Sequence, residues 1–63
     1  MLRWNLDVAV GGMSVGDSFF VPCVDCQPVI TTLVQLGKAF GYKVVVRIRY
    51  ENYIKGVRIW RMR

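Results

Sequence analysis

Two groups of side chains in this chain have types and spacings that could do chemistry. One is a cysteine pair and the other is a set of arginines gathered around a tryptophan. Cys23-Val24-Asp25-Cys26 is a C-x-x-C lying between a short apolar run and a helical pattern. In thioredoxin-like proteins a helix N-terminus at such a position lowers a thiol pKa and makes the pair redox-active. Here the chain is too short for that fold, Val-Asp is not a usual redox dipeptide, and Asp25 opposes thiolate formation. A structural zinc site needs four ligands. With two cysteines and no histidine, metal binding at Cys23 and Cys26 would require a second chain. The leading expectation is two ordinary thiols, with redox chemistry or a shared metal as alternatives.

The arginine set is the stronger feature. The formal charge is +5, from nine Lys and Arg against four Asp and Glu. Most of the cations fall between Lys43 and Arg63. In Lys43–Tyr50, Val44, Val46, Ile48 and Tyr50 point one way along a strand, and Val45, Arg47 and Arg49 the other. In Val57–Met62, Val57 and Ile59 share one face and Arg58, Trp60 and Met62 the opposite one. Packing the apolar faces inward therefore gathers Arg47, Arg49, Arg58 and Trp60 on the outside. Arg61 and Arg63 extend the charge, with Arg61 at the edge of the apolar side. Like charges across strands repel, so the cluster makes sense if an anion sits among them. Arginine grips phosphate or guanine with a planar fork, tryptophan stacks on bases, and a two-stranded ribbon fits the DNA major groove. The expected nucleic-acid contacts are Arg47, Arg49, Arg58, Arg61 and Trp60, with Lys43 and Lys55 adding long-range attraction. The simpler alternative is an arginine stem lying over Trp60 and covering apolar surface.

Catalysis is not expected. The chain lacks histidine, the commonest general base. Asp7, Asp17, Asp25 and Glu51 are scattered, and Ser14 and Ser18 have no partner base. The segment after Gly11-Gly12 lacks the lysine of a phosphate loop. No cofactor is implied.

The elements that must position these groups read as a single small basic domain spanning residues 1–63. A chain of this size buries only ~60% of the surface its unfolded form exposes, so a homodimer is among the expected states. Alternation of Leu2, Trp4, Leu6, Val8 and Val10 predicts a strand ending at Gly11-Gly12. Ser14–Asp17 reads as a turn. Ser18–Val21 reads as a short strand that Pro22 confines to an edge. Pro28 opens a helix whose Val29, Leu33, Leu36 and Phe40 share a face, and Gly41 caps it. Lys43–Tyr50 and Val57–Met62 form a hairpin across a polar loop at Glu51–Lys55. The predicted fold is α+β, in the order β-β-α-β-β, with one amphipathic helix on one face of a mostly antiparallel sheet. Its predicted core is Leu6, Val8, Phe19, Val21, Ile30, Leu33, Leu36, Phe40, Val44, Val46, Ile48, Val57 and Ile59, with Trp4 or Trp60 half buried.

No run reaches the ~18 apolar residues of a membrane span, and Arg3, Asn5 and Asp7 argue against a signal peptide. A cytoplasmic setting is expected, with reduced thiols.

The segments Met13-Ser14-Val15-Gly16-Asp17-Ser18-Phe19-Phe20-Val21-Pro22 and Gly56-Val57-Arg58-Ile59-Trp60-Arg61, with a helix and a basic strand between them, resemble a group of small uncharacterised phage-encoded proteins. The C-x-x-C is not a feature of that group. The resemblance implies a viral accessory protein acting in the host cytoplasm and implies no particular activity. Two functions are therefore expected. The first is nucleic-acid binding, DNA foremost, through the basic-aromatic hairpin. The alternative is binding and inhibition of a host enzyme, since Tyr, Trp and Arg dominate protein interfaces.

Overall fold

The computed structural model describes residues 6–63. Within them the order is helix α1 (Leu6–Gly11), strand β1 (Ser18–Pro22), helix α2 (Cys26–Ala39), strand β2 (Val44–Glu51) and strand β3 (Ile54–Arg61). The class is α+β, as expected, with a three-stranded antiparallel sheet of order β1-β3-β2. The first element is not the expected strand, so the described order is α-β-α-β-β and there are two helices. The start of the predicted strand, with Trp4, lies outside the described residues.

The reason for the helix is visible in Leu6-Asp7-Val8-Ala9-Val10. Leu6 and Val10 share a face at the two-residue period of a strand and also at the i, i+4 spacing of a helix. Only Val8 distinguishes the two, and it is 66% exposed while Val10 is fully buried. Asp7 in the first turn suits the positive end of the helix dipole. α1 packs against α2.

α2 forms where its apolar stripe predicts it, starting two residues before Pro28. Pro28 thus sits in the first turn, where a missing N–H leaves no helical bond unmade. Phe40 N–H donates to Leu36 O at 3.0 Å. Gly41 then takes φ 74°, the left-handed conformation that ends helices and favours glycine. α2 lies on the inner face of the sheet, where Leu33 and Cys26 meet Val57 and Ile59, with Val10 and Met13 completing the core.

Leu6, Phe19, Ile30, Leu36, Val44 and Val46 are half-buried and pack against that core. Three predicted core residues do not: Val8, Phe40 (45% exposed) and Ile48 (52% exposed). Phe40 ends up in the helix cap, stacked on Tyr42 with ring centroids 5.6 Å apart. Ile48 lies towards the hairpin tip.

The hairpin is tighter than expected. Glu51 pairs with Ile54, so the connection is the two-residue turn Asn52-Tyr53, with φ 52° and 65°. Positive φ at both positions is the signature of a type I′ turn, whose twist matches that of the flanking strands. Glu51 is therefore the last residue of β2 rather than part of a loop. No helix among the described residues is long and apolar enough to cross a membrane.

Candidate nucleic-acid interface

β3 is the central strand and sets the two faces of the sheet. Val57 pairs with Val21 on one side and Ile48 on the other, and Ile59 with Phe19 and Val46. These turn inward, under α2. The intervening residues turn outward. Arg58 pairs with Phe20 and Arg47, and Trp60 with Ser18 and Val45. No described helix packs on that outer face, because α2 contacts β2 and β3 from the inner side and α1 contacts α2.

Arg47, Arg49, Arg58 and Trp60 are thus brought together on one open face. Val45, Arg47, Arg49, Trp60 and Met62 line a shallow groove of about 550 Å³ there, with mostly apolar walls. The Arg49 guanidinium lies 5.7 Å from the centroid of the Trp60 ring, within cation–π range. Phe20 adds an aromatic surface beside them, since its ring sits over Gly56, where any side chain would collide with it.

The anion that the arginine cluster calls for is partly supplied by the protein itself. Arg58 Nε donates to Glu51 Oε2 at 2.6 Å and Nη2 to Oε1 at 2.9 Å, while Nη1 donates to Ser18 Oγ at 2.7 Å. Arg49 approaches the same carboxylate at 3.9 Å. The Arg58 hydrogen bonds hold the Glu51 carboxyl below the usual carboxylate range and raise the Arg58 pKa. Arg58 therefore acts as an internal strut, with its fork committed to Glu51. Arg47 and the outer half of Arg49 are left as the cations that face solvent. The sequence places Glu51 in a polar loop, where nothing marks it as the partner of Arg58.

Three other expected contact residues lie off this face. Arg61 turns inward, stacks 3.6 Å above the centroid of Tyr42 and donates Nη1–H to Met13 O at 2.6 Å and Nε–H to Arg63 O at 3.1 Å. Tyr42 in turn donates its hydroxyl to Gly11 O at 3.0 Å. Arg61 therefore pins the α1–β1 connection to the sheet, and a guanidinium committed in this way is a structural group. Lys43 lines a groove between α2 and β2. Lys55 sits at the opposite end of the sheet, close enough to Cys23 to lower its pKa. The hairpin is wider than the two-stranded ribbon that would fit the major groove, because β1 flanks it on its β3 side.

The cysteines face each other at the start of α2. Cys23 Sγ donates to Cys26 Sγ at 3.1 Å, both are free thiols, and Cys26 is buried. Burial, then the hydrogen bond and charge of Cys26, push the Cys23 thiol up to about 11, against a smaller lowering by Lys55. A thiol held protonated in this way is a poor nucleophile at neutral pH. Among the described residues no three His, Cys, Asp or Glu side chains cluster as a metal site would require.

Compared with protein-family models, curated proteins and solved structures, the chain matches none.

Proposed function

We propose that this protein is a small non-catalytic accessory protein that binds single-stranded nucleic acid, DNA foremost, across the outer face of its sheet. The observation that carries the reading is the uncovered face on which Arg47 and Arg49 flank the apolar groove beside Trp60. Bases stack on aromatic side chains in a sequence-tolerant way, and guanidinium groups beside them neutralise phosphates. Trp60 and Phe20 would carry the stacking, and Arg47 and Arg49 the phosphates. A single strand suits this face better than a duplex. Three strands spaced ~4.8 Å apart present a surface about as wide as the ~12 Å major groove, once their side chains are added.

The test is fluorescence anisotropy with a labelled oligonucleotide, single-stranded and as its duplex, titrated across salt. Tighter binding of the single strand is expected, with affinity falling as salt rises. Trp60→Ala should weaken it by ~1–3 kcal/mol. Arg47→Ala/Arg49→Ala should weaken it and flatten the salt slope by about 1.4, at ~0.7 per single-strand phosphate. Absence of binding at low salt, or unchanged affinity in both variants, would overturn the reading.

Absence of binding would favour the second function, attachment to a protein of the host. The observation behind it is the exposed apolar surface of Tyr53 and Ile54 at the hairpin tip and of Val24 in the β1–α2 connection beside Ile54.

A further inference from the structure

The two edges of the sheet are built differently. β1 is five residues long and ends in Pro22; short length and proline both blunt an edge against pairing. β2 is eight residues long, reads Val-Val-Val-Arg-Ile-Arg-Tyr-Glu, and forms the other edge of the sheet among the described residues. A long β-branched edge without proline is a template for another strand.

The hairpin fixes which backbone groups that edge offers. Glu51 and Ile54 close a two-residue turn, so they form a hydrogen-bonded pair. At the other end of β2, Lys43 O accepts Met62 N–H at 2.7 Å. Antiparallel pairs alternate, so Val45, Arg47 and Arg49 bond to β3. Val44, Val46, Ile48 and Tyr50 direct their N–H and C=O groups away from the sheet.

The side chains of those same four residues lie on the inner face and divide into two complementary sets. Val44 and Val46, with Ile30 and Val34 of α2, form the apolar wall of an open groove of about 300 Å³ that Lys38, Tyr42 and Lys43 complete. Ile48 and Tyr50, farther along the strand, are 52% and 70% exposed. One end of β2 thus has an open groove with an apolar wall and the other has unburied apolar side chains.

We propose that the β2 edge pairs with β2 of a second copy of this chain, antiparallel about a two-fold axis at Arg47, joining the two sheets into one. In this register Val46 lies opposite Ile48 and Val44 opposite Tyr50. All the outward-facing backbone groups of both edges are then paired, and Ile48 and Tyr50 of each copy enter the groove of the other. The alternative axis at Ile48 leaves Val44 beyond the end of the other strand and sets Arg47 against Arg49. At the Arg47 axis the one like-charged pair is Arg47 with itself, which salt screens. Dimerisation therefore tightens with salt, the opposite of nucleic-acid binding. It does not depend on the proposed function, because the outer face stays open in both copies.

The test is sedimentation equilibrium of the full chain over a range of protein and salt concentrations. A dimer that strengthens with salt is expected. Ile48→Lys/Tyr50→Lys, at two exposed positions, should remain folded by circular dichroism and lose the dimer over the same range. Arg47→Cys should yield a covalent dimer in oxidised glutathione where wild type does not, since residues facing each other at a non-hydrogen-bonded antiparallel position are close. A monomer at every concentration, a dimer that survives Ile48→Lys/Tyr50→Lys, or no Arg47→Cys cross-link would each overturn the proposal.

Discussion

Glu51 and Arg58 face each other across the outer surface of the hairpin in a two-pronged ion pair, at 2.6 and 2.9 Å. The pair makes the cationic face self-limiting. A carboxylate placed among arginines stabilises the free protein by relieving their mutual repulsion, and it competes with any phosphate that approaches.

Glu51→Gln should therefore strengthen oligonucleotide binding and steepen its salt dependence, because the released Arg58 fork adds up to one phosphate contact, worth ~0.7 in slope. Anisotropy titrations of wild type and variant across salt would show it, and equal slopes would mean that Arg58 stays off the ligand. The same pair gives a pH signature. The folded-state pKa of Glu51 is lowered, so its contribution to stability is full above the ordinary carboxylate range and is lost as pH falls from there through the lowered value. Thermal midpoints between neutral and acid pH should drop further for wild type than for Glu51→Gln.

Arg61 shows how a cation that looks available in the sequence is committed in the fold. Its stacking on Tyr42 and its bond to Met13 O join residues far apart in the chain. Arg61→Ala should leave oligonucleotide affinity unchanged and lower stability by ~2 kcal/mol, the scale of one charged hydrogen bond with a cation–π contact. For a domain of this size that shifts the thermal midpoint by on the order of 10 °C. Weakened binding in a fully folded Arg61→Ala variant would return Arg61 to the interface.

The elements that were legible in the sequence have a single dominant period. Leu33 and Leu36 mark α2 at helical spacing, and the β-branched run Val44–Ile48 alternates cleanly enough to sort Arg47 and Arg49 from Val44 and Val46. The elements that were missed have ambiguous or distant determinants. Leu6 and Val10 satisfy both periods, so α1 is decided by its docking on α2. Cys26 and Met13 enter the core through tertiary placement that no local pattern records. Glu51 looks like a loop residue because Asn52-Tyr53 lacks the glycine that usually marks a two-residue turn. A loop over Glu51–Lys55 takes Glu51 out of the strand register that sets it near Arg58.

That missing glycine leads to a stability prediction. Tyr53 is held at φ 65° with its side chain fully exposed, so it bears the left-handed backbone cost of ~1–2 kcal/mol without any packing in return. Tyr53→Gly should raise stability by about 1 kcal/mol and the thermal midpoint by roughly 4–8 °C. Differential scanning calorimetry of the two proteins would measure it. A lower midpoint would show that the Tyr53 side chain makes a contact in solution, and the hairpin tip would then become the first surface to probe for a partner.

The cysteines supply the last prediction. Burial and the Cys26 contact hold the Cys23 thiol up to about 11, above its ordinary value of 9.0. Its reaction with an aromatic disulfide reagent should therefore be slower than that of a free thiol at pH 8, and should accelerate only as pH approaches that raised value. The linkage runs the same way. A raised folded-state pKa gives stability that is full below the unfolded value near 9 and is lost as pH rises from there through about 11. Alkaline unfolding should therefore begin above pH 9 and be delayed in Cys23→Ser, whose hydroxyl does not ionise in that range. Fast labelling of Cys23 at pH 7 would contradict this account, and would restore redox or metal chemistry at Cys23-Val24-Asp25-Cys26 as a working hypothesis.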